Sequence, residues 1–385
     1  YKRQRPSFQN VVYTSFLRRL PDNQEDNMTE YNPFTRGSLP VGTRRYIWTD
    51  IARDHTMPVD VWYPATEAHR GQDMDPATMD TYEMVPGMGK TSQHAVKDAE
   101  ALSGKYPLVV FSHGFGGERR QSTFFYTHLA SHGYVVAAMD HVGNTTVDMI
   151  SGASTAGDPA VTDRFIVSRP LDASFVISQM LDGASGHTVL PDQVGMSGHS
   201  FGGWTTLRTL ETDTRIKAAL PLAPAGGFTR VDPDNVMATT LSFQWGREVP
   251  TLYLVSDLDS ILPLEGMRDL YHRNPEPRTS VVLNNADHFH FNDDIEQAHD
   301  GFKMIMTMMS ANMEGEARKS LDAMLNAMKP ASELVAGKKA YDLINGLGLA
   351  HFDAHLRGNA SARALLSGDL VALLAERGTV IELMS

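Results

Sequence analysis

The chain has 385 residues, of which 42% are hydrophobic and 21% charged, with no cysteine and a formal net charge of −12. The length suffices for a large buried core, and the lack of thiols excludes disulfides, a cysteine nucleophile and thiolate metal ligands. The negative charge argues against nucleic acid or an anionic membrane as a main partner, and no apolar run reaches the ~18 residues of a transmembrane helix.

Residues 1–40 are polar and broken by Pro6, Pro21 and Pro33, which reads as an arm on the main body. Its Lys2-Arg3-Gln4-Arg5 stretch reads as a solvated end, and the arm offers a means of pairing into a homodimer. The first residue is Tyr1, not Met. A removed presequence, and with it a secreted or periplasmic soluble protein, is therefore open. Residues 41–297 read as the core. Strands are expected at 45–48 and 59–64, the second alternating apolar and polar residues, and 65–105 reads as loop with a short helical pattern. Short apolar strand runs follow at 107–111, 134–139, 193–196, 218–222, 251–255 and 280–283. Helical patterns fall at about 118–132, 170–183 and 203–211. Strands alternating with helices predict an α/β fold with a mostly parallel sheet, helices on both faces and its chemistry at the carboxyl ends of the strands. Residues 298–335 form a Met-rich helical insert, with Met304, Met306, Met308, Met309 and Met313 crowded together. It reads either as ordinary helical packing or as a cap over an apolar pocket. Residues 336–385 read as C-terminal helices completing the core, with an amphipathic stretch at 340–356.

The chemistry concentrates in Gly198-His199-Ser200-Phe201-Gly202, a G-x-S-x-G pattern between a strand-like and a helix-compatible run. A serine there sits on a sharp turn that exposes its hydroxyl, and side chains at the flanking glycines would collide with strand and helix. A hydroxyl is a weak nucleophile until a base takes its proton and a third group orients that base. The order Ser, acid, His is met downstream. Ser256-Asp257-Leu258-Asp259 offers two carboxylates after a strand, with Asp259 the first candidate and Asp257 the alternative. Asp287-His288-Phe289-His290 offers the base, with His288 favoured. The His-x-His spacing beside Asp293 and Asp294 is a weak metal signal, so no metal and no cofactor are expected. One oxyanion amide is expected from Phe201. The second is expected from Phe115 in Ser112-His113-Gly114-Phe115-Gly116-Gly117, directly after a strand. Gly114, His199 and Trp204 are further candidates for substrate contact, although Trp204 also reads as a packing residue.

These segments resemble the platelet-activating factor acetylhydrolase family, within the group that holds dienelactone hydrolases and bacterial cutinase-like polyester hydrolases. The resemblance is carried by Asp60-Val61-Trp62-Tyr63-Pro64-Ala65, Tyr106-Pro107-Leu108-Val109-Val110-Phe111-Ser112-His113-Gly114, Leu129-Ala130-Ser131-His132-Gly133-Tyr134 and the G-x-S-x-G segment. It implies an α/β-hydrolase fold and a serine esterase without cofactor. It also implies Asp259 as triad acid and Phe115 and Phe201 as oxyanion donors. Val142-Gly143-Asn144-Thr145 and the 298–335 insert depart from the family pattern. The expected activity is hydrolysis of a short-chain or lipid-like carboxylic ester through an acyl-enzyme. The alternatives are a cutinase-like polyester hydrolase, an acyltransferase, or a hydrolase-fold binding protein without turnover.

Overall fold

The computed structural model describes residues 31–84, 87, 89–152, 159–311 and 313–384. Most of the arm expected over 1–40 thus lies outside the described residues. From residue 32 the chain packs on the body: Phe34 is buried and the Gly37 amide donates to Ser131 Oγ at 2.9 Å.

The strands expected at 45–48 and 59–64 are longer, forming the antiparallel hairpin β1 (Val41–Asp50) and β2 (His55–Pro64). The stretch read as loop holds β3 (Asp80–Tyr82) paired with β4 (Thr91–Gln93), and β5 (Val96–Lys97) on the edge of β1. The alternating part follows as β6 (Lys105–Ser112), α1 (Thr123–Ser131), β7 (Val135–Met139), α2 (Thr146–Ile150), α3 (Pro159–Leu181), β8 (Thr188–His199), α4 (Phe201–Thr212) and β9 (Ile216–Leu222). Then come α5 (Val236–Thr239), β10 (Thr251–Ser256), α6 (Leu264–Arg273) and β11 (Arg278–Leu283). The principal sheet runs β12-β11-β10-β9-β8-β6-β7-β2-β1-β5, where β12 is Ile381–Leu383. Its centre, β7-β6-β8-β9-β10-β11, is parallel throughout. Helices cover both faces there, so the central strands carry apolar residues on both: Leu108, Val109, Val110 and Phe111 of β6 are all fully buried. Strand β1, at the margin, alternates half-covered and exposed residues over Arg44–Ile47 instead, before the buried Trp48.

Two features of the C-terminal part go beyond the sequence expectation. The Met-rich stretch is two helices, α7 (Ile295–Ser310) and α8 (Gly315–Ala327), tied by hydrogen bonds from Ser310 to Asp322 and from Lys303 to the Met328 carbonyl. Met304, Met308 and Met309 face solvent, while Met328 is buried. Strand β12, antiparallel to β11, has no counterpart in the sequence reading, because three residues are too few for a period to show. Between α8 and β12 lie α9 (Gly337–His355), α10 (Ala360–Leu366) and α11 (Leu370–Glu376). Buried Leu343, Ile344, Leu347 and Phe352 join α9 to the main core.

Charge inside the fold is concentrated beside β2. Asp60 is fully buried and ion-paired with Arg45 at 3.0 Å, Arg119 at 3.2 Å and Arg120. Burial raises its pKa, but the guanidinium groups outweigh that and hold the carboxyl below its usual value. Arg119 also pairs with Asp140 after β7, through its side chain and through its amide at 2.8 Å. These bonds fix the segment after β6 that runs toward the sheet's carboxyl edge.

Candidate active site

Ser200 stands at the junction of β8 and α4 with φ 57° and ψ −118°, a region sparsely populated by side-chain-bearing residues. Its own backbone holds the turn: the amide donates to the Leu222 carbonyl at 2.9 Å, and its carbonyl accepts from Trp204 at 3.1 Å and Ala225 at 3.0 Å. A Cβ on Gly198 would run into the Gly202 carbonyl, and one on Gly202 into the Ser112 carbonyl. The glycine spacing is therefore a steric requirement of this turn. Ser200 is partly exposed.

The base loop follows β11. His288 opens a single 3₁₀ turn, His288–Phe291, capped by Asp287, whose Oδ1 accepts from the His288 amide at 2.5 Å and from Ser260. His288 Nδ1 lies 2.7 Å from Asp259 Oδ2, and both residues are buried. A carboxylate can only accept, so Nδ1 carries the proton and Nε2 is left as the basic nitrogen. The other Asp259 oxygen accepts from the amides of Ile261 at 3.0 Å and Leu262 at 2.6 Å, which fixes the carboxylate. Asp257 accepts from the Ala286 amide at 3.2 Å and so ties the acid loop to the base loop. His290 is turned away, its ring bonded to Asp287 and to the Val335 carbonyl. Asp293 is also turned away: it caps α1 through the amides of Thr123 and Phe124. Among the described residues no cluster of three or more His, Asp or Glu is arranged to hold a metal ion.

Phe201 is the first residue of α4, where amides have no intrahelical acceptor. Its ring stacks with that of Phe115, centroids 6.4 Å apart, so both expected oxyanion residues stand side by side. Gly114 also adjoins the nucleophile: a Cβ built on it would lie 3.4 Å from Ser200 Cβ. Helix α2 docks on this loop through Thr146, whose hydroxyl donates to the Gly116 carbonyl at 2.6 Å.

Two expected substrate contacts are corrected. Trp204 is fully buried, with Nε1 donating to the Met237 carbonyl at 2.9 Å, and it packs against Gly226. His199 is buried with both ring nitrogens engaged by the protein: Nδ1 with Gln121 Nε2 at 2.9 Å and Nε2 with the His288 carbonyl at 3.0 Å. Burial drives its pKa well below the ordinary value, so the ring is neutral, accepting from Gln121 and donating to His288. It braces the base loop.

Gln121, His113 and Arg169 are not among the residues expected from the sequence, yet they also touch the site. Gln121 Oε1 accepts from the Gly114 amide at 2.8 Å while its Nε2 reaches His199 and Asn292. One side chain thus links the oxyanion loop, the elbow and the base loop. Arg169 had a faint signal: with Phe165, Ala173, Val176 and Met180 it sits on the buried stripe of α3, where a charge is out of place.

Residues 25–156 match the family described as platelet-activating factor acetylhydrolase, isoform II. A cutinase of Thermobifida alba is 29% identical over 188 residues, which are 48% of this chain and 54% of that protein. The platelet-activating factor acetylhydrolase of Canis lupus familiaris is 27% identical over 154 residues, covering 31% of this chain and 35% of its own. The chain spans about half the length of the cutinases it matches. Among solved structures, a ferulic acid esterase from Streptomyces cinnamoneus superposes with a TM-score of 0.61 at 22% identity, covering 90% of this chain and 97% of its own. The chain has the α/β-hydrolase fold, and its likenesses fit the platelet-activating factor acetylhydrolase-like group that its motifs resemble.

Proposed function

We propose that this protein is a serine carboxylic ester hydrolase with Ser200, His288 and Asp259 as its triad. The observation that carries the reading is the pairing of a strained, partly exposed serine turn with a buried carboxylate–imidazole pair on the same edge of the sheet. His288 Nε2 takes the Ser200 proton as Oγ attacks the ester carbonyl, and Asp259 steadies the imidazolium. The amides of Phe115 and Phe201 receive the oxyanion. The imidazolium protonates the leaving alcohol, and water activated by the same base then releases the acid from the acyl-enzyme. The names of the matched proteins, a cutinase, a platelet-activating factor acetylhydrolase and a ferulic acid esterase, all support ester chemistry.

The expected substrate is a short-chain or lipid-like ester. Exposed Val147 and Ile150 on α2, with Val142 just before it, stand beside the oxyanion loop, and exposed Leu258 stands beside the acid. Such exposed apolar side chains near the site would suit an acyl or alcohol chain. The test is a panel of esters graded by acyl length, run with the parent and with Ser200→Ala. The parent turns over the esters and the variant loses about 10³–10⁶-fold in kcat. Substantial ester hydrolysis by Ser200→Ala overturns the assignment. Transfer to an added alcohol in place of water would move the reading to an acyltransferase.

A further inference from the structure

The Gly114–Phe115 peptide is a rigid planar trans unit, so the Gly114 carbonyl and the Phe115 N–H point in opposite directions. Whatever holds the carbonyl therefore aims the amide. Three donors converge on that oxygen: His113 Nδ1 at 2.7 Å, the Gly117 amide at 3.2 Å and Arg169 Nη2 at 3.3 Å. The tautomer of His113 is set from the other side, because the His141 amide donates to its Nε2 at 3.0 Å and leaves the proton on Nδ1. Arg169 Nη2 also donates to the His113 carbonyl at 2.6 Å. Its guanidinium lies 4.4 Å from the centre of the Phe201 ring. One side chain therefore touches both segments that supply oxyanion donors.

We propose that Arg169 is a positioning residue for the oxyanion hole, holding the Gly114–Phe115 peptide so that the Phe115 N–H faces the carbonyl attacked by Ser200. The proposal rests on the reading of Ser200 as an esterase nucleophile. A peptide turned the other way would present a carbonyl oxygen to the developing negative charge. Packing alone does not account for the residue. Arg169 is fully buried, and its Nε and Nη1 have no hydrogen-bond partner among the described residues. The nearby Asp172 is engaged with Arg53 at 2.7 Å and with His141 at 2.9 Å. Burial lowers the pKa of Arg169 to about 9, so it is still a cation at neutral pH. An apolar side chain would fill this position at less cost in desolvation. A cation bonded to the Gly114 carbonyl polarises the peptide and strengthens its N–H as a donor, which an apolar side chain cannot do.

The test compares the parent, Ser200→Ala, Arg169→Met and Arg169→Lys on one ester and on its thionoester, whose sulfur draws much less on amide donors. Folding of each variant is followed by circular dichroism and Tm. For folded Arg169→Met, kcat on the ester falls about 10–1000-fold, bounded above by the loss of a whole oxyanion donor. KM changes little, and the loss on the thionoester is clearly smaller. Arg169→Lys, which keeps the charge but lacks the planar fork, falls between. A folded Arg169→Met with parental kcat, or with equal losses on ester and thionoester, overturns the proposal. If Arg169→Met does not fold, the ester-to-thionoester rate ratio of Arg169→Lys decides: a lowered ratio supports the role, and a parental ratio overturns it. Absence of Ser200-dependent turnover in the parent overturns the esterase reading and this proposal together. Normal parental turnover with an indifferent Arg169 overturns this proposal alone.

Discussion

Among the described residues two imidazole–carboxylate pairs share the same Nδ1 bonding, one on the sheet edge of Ser200 and one bonded to Ser112. In one, Asp259 Oδ2 holds His288 Nδ1 at 2.7 Å, on the same sheet edge as the Ser200 turn. In the other, His141 Nδ1 lies 2.9 Å from Asp172 Oδ2 and its Nε2 lies 2.9 Å from Ser112 Oγ. Both rings carry the proton on Nδ1, toward the carboxylate. Their surroundings differ. Ser112, His141 and Asp172 are each at most 1% exposed. Ser112 ends β6 in regular strand geometry, and Asp172 is further neutralised by Arg53. Burial drives the pKa of His141 well below its ordinary value. Ser200 is instead partly exposed, on a backbone turn with positive φ. On the proposed reading, access for an ester and for water, which the strained turn supplies, separates the Ser200 set from the inner one, and an imidazole–carboxylate bond alone does not. The inner set does structural work. It locks the end of β6 to the start of the loop after β7, and the His141 amide in turn fixes the His113 tautomer.

The sharpest way to break this comparison is to remove each serine hydroxyl. Ser200→Ala should lose activity by about 10³–10⁶-fold with little change in Tm. Ser112→Ala should keep kcat within about three-fold but lower the unfolding free energy by about 1–2 kcal/mol, because His141 Nε2 loses its buried partner. Equal activity losses in two folded variants would abolish the distinction. Next in size come the acids of the Ser200 side. Asp259→Asn should cost about 10²–10⁴-fold in kcat by upsetting the His288 tautomer, and Asp257→Asn only several-fold through the loop. The reverse order would exchange their roles.

The smallest effect concerns stability. Glu118 is buried beside Asp140, and desolvation, reinforced by that charge, pushes its carboxyl up to about 8. A raised carboxyl pKa means the folded state binds the proton more tightly than the unfolded one. Its contribution is then fully present below the ordinary value near 4.5 and is lost as pH rises toward 8. Glu118→Gln is neutral at every pH. Its stability relative to the parent should rise by up to a few kcal/mol between pH 5 and pH 8, read from urea unfolding. A difference that does not change with pH would show that Glu118 is ionised throughout.

The outer set was legible in the sequence because each member follows a strand, in an order that this fold constrains. Gly198 and Gly202 announce the turn, and Ser256 to Asp259 and Ala286 to His288 each close an apolar run. The inner set was not legible. Ser112, His141 and Asp172 come from two strand ends and a helix, and only the β6–β7 pairing, Ser112 opposite Met139, brings two of them together. Arg169 and Gln121 act through backbone carbonyls and amides, which leave no mark on residue spacing. Of the two readings open for Trp204, packing is the one its surroundings favour: the first turn of α4 points it into the core, toward Gly226 and Met237, although it follows Ser200 by only four residues. Likewise, the apolar period of the 298–335 stretch gave helix but not which side would be covered, and Met304, Met308 and Met309 face solvent.

The most direct measurement of the central claim is covalent labelling with a fluorophosphonate, followed by peptide mass spectrometry. The account predicts a single adduct on Ser200, formed in step with loss of esterase activity and absent from Ser200→Ala. An adduct on Ser112, or complete inactivation with Ser200 unmodified, would contradict it.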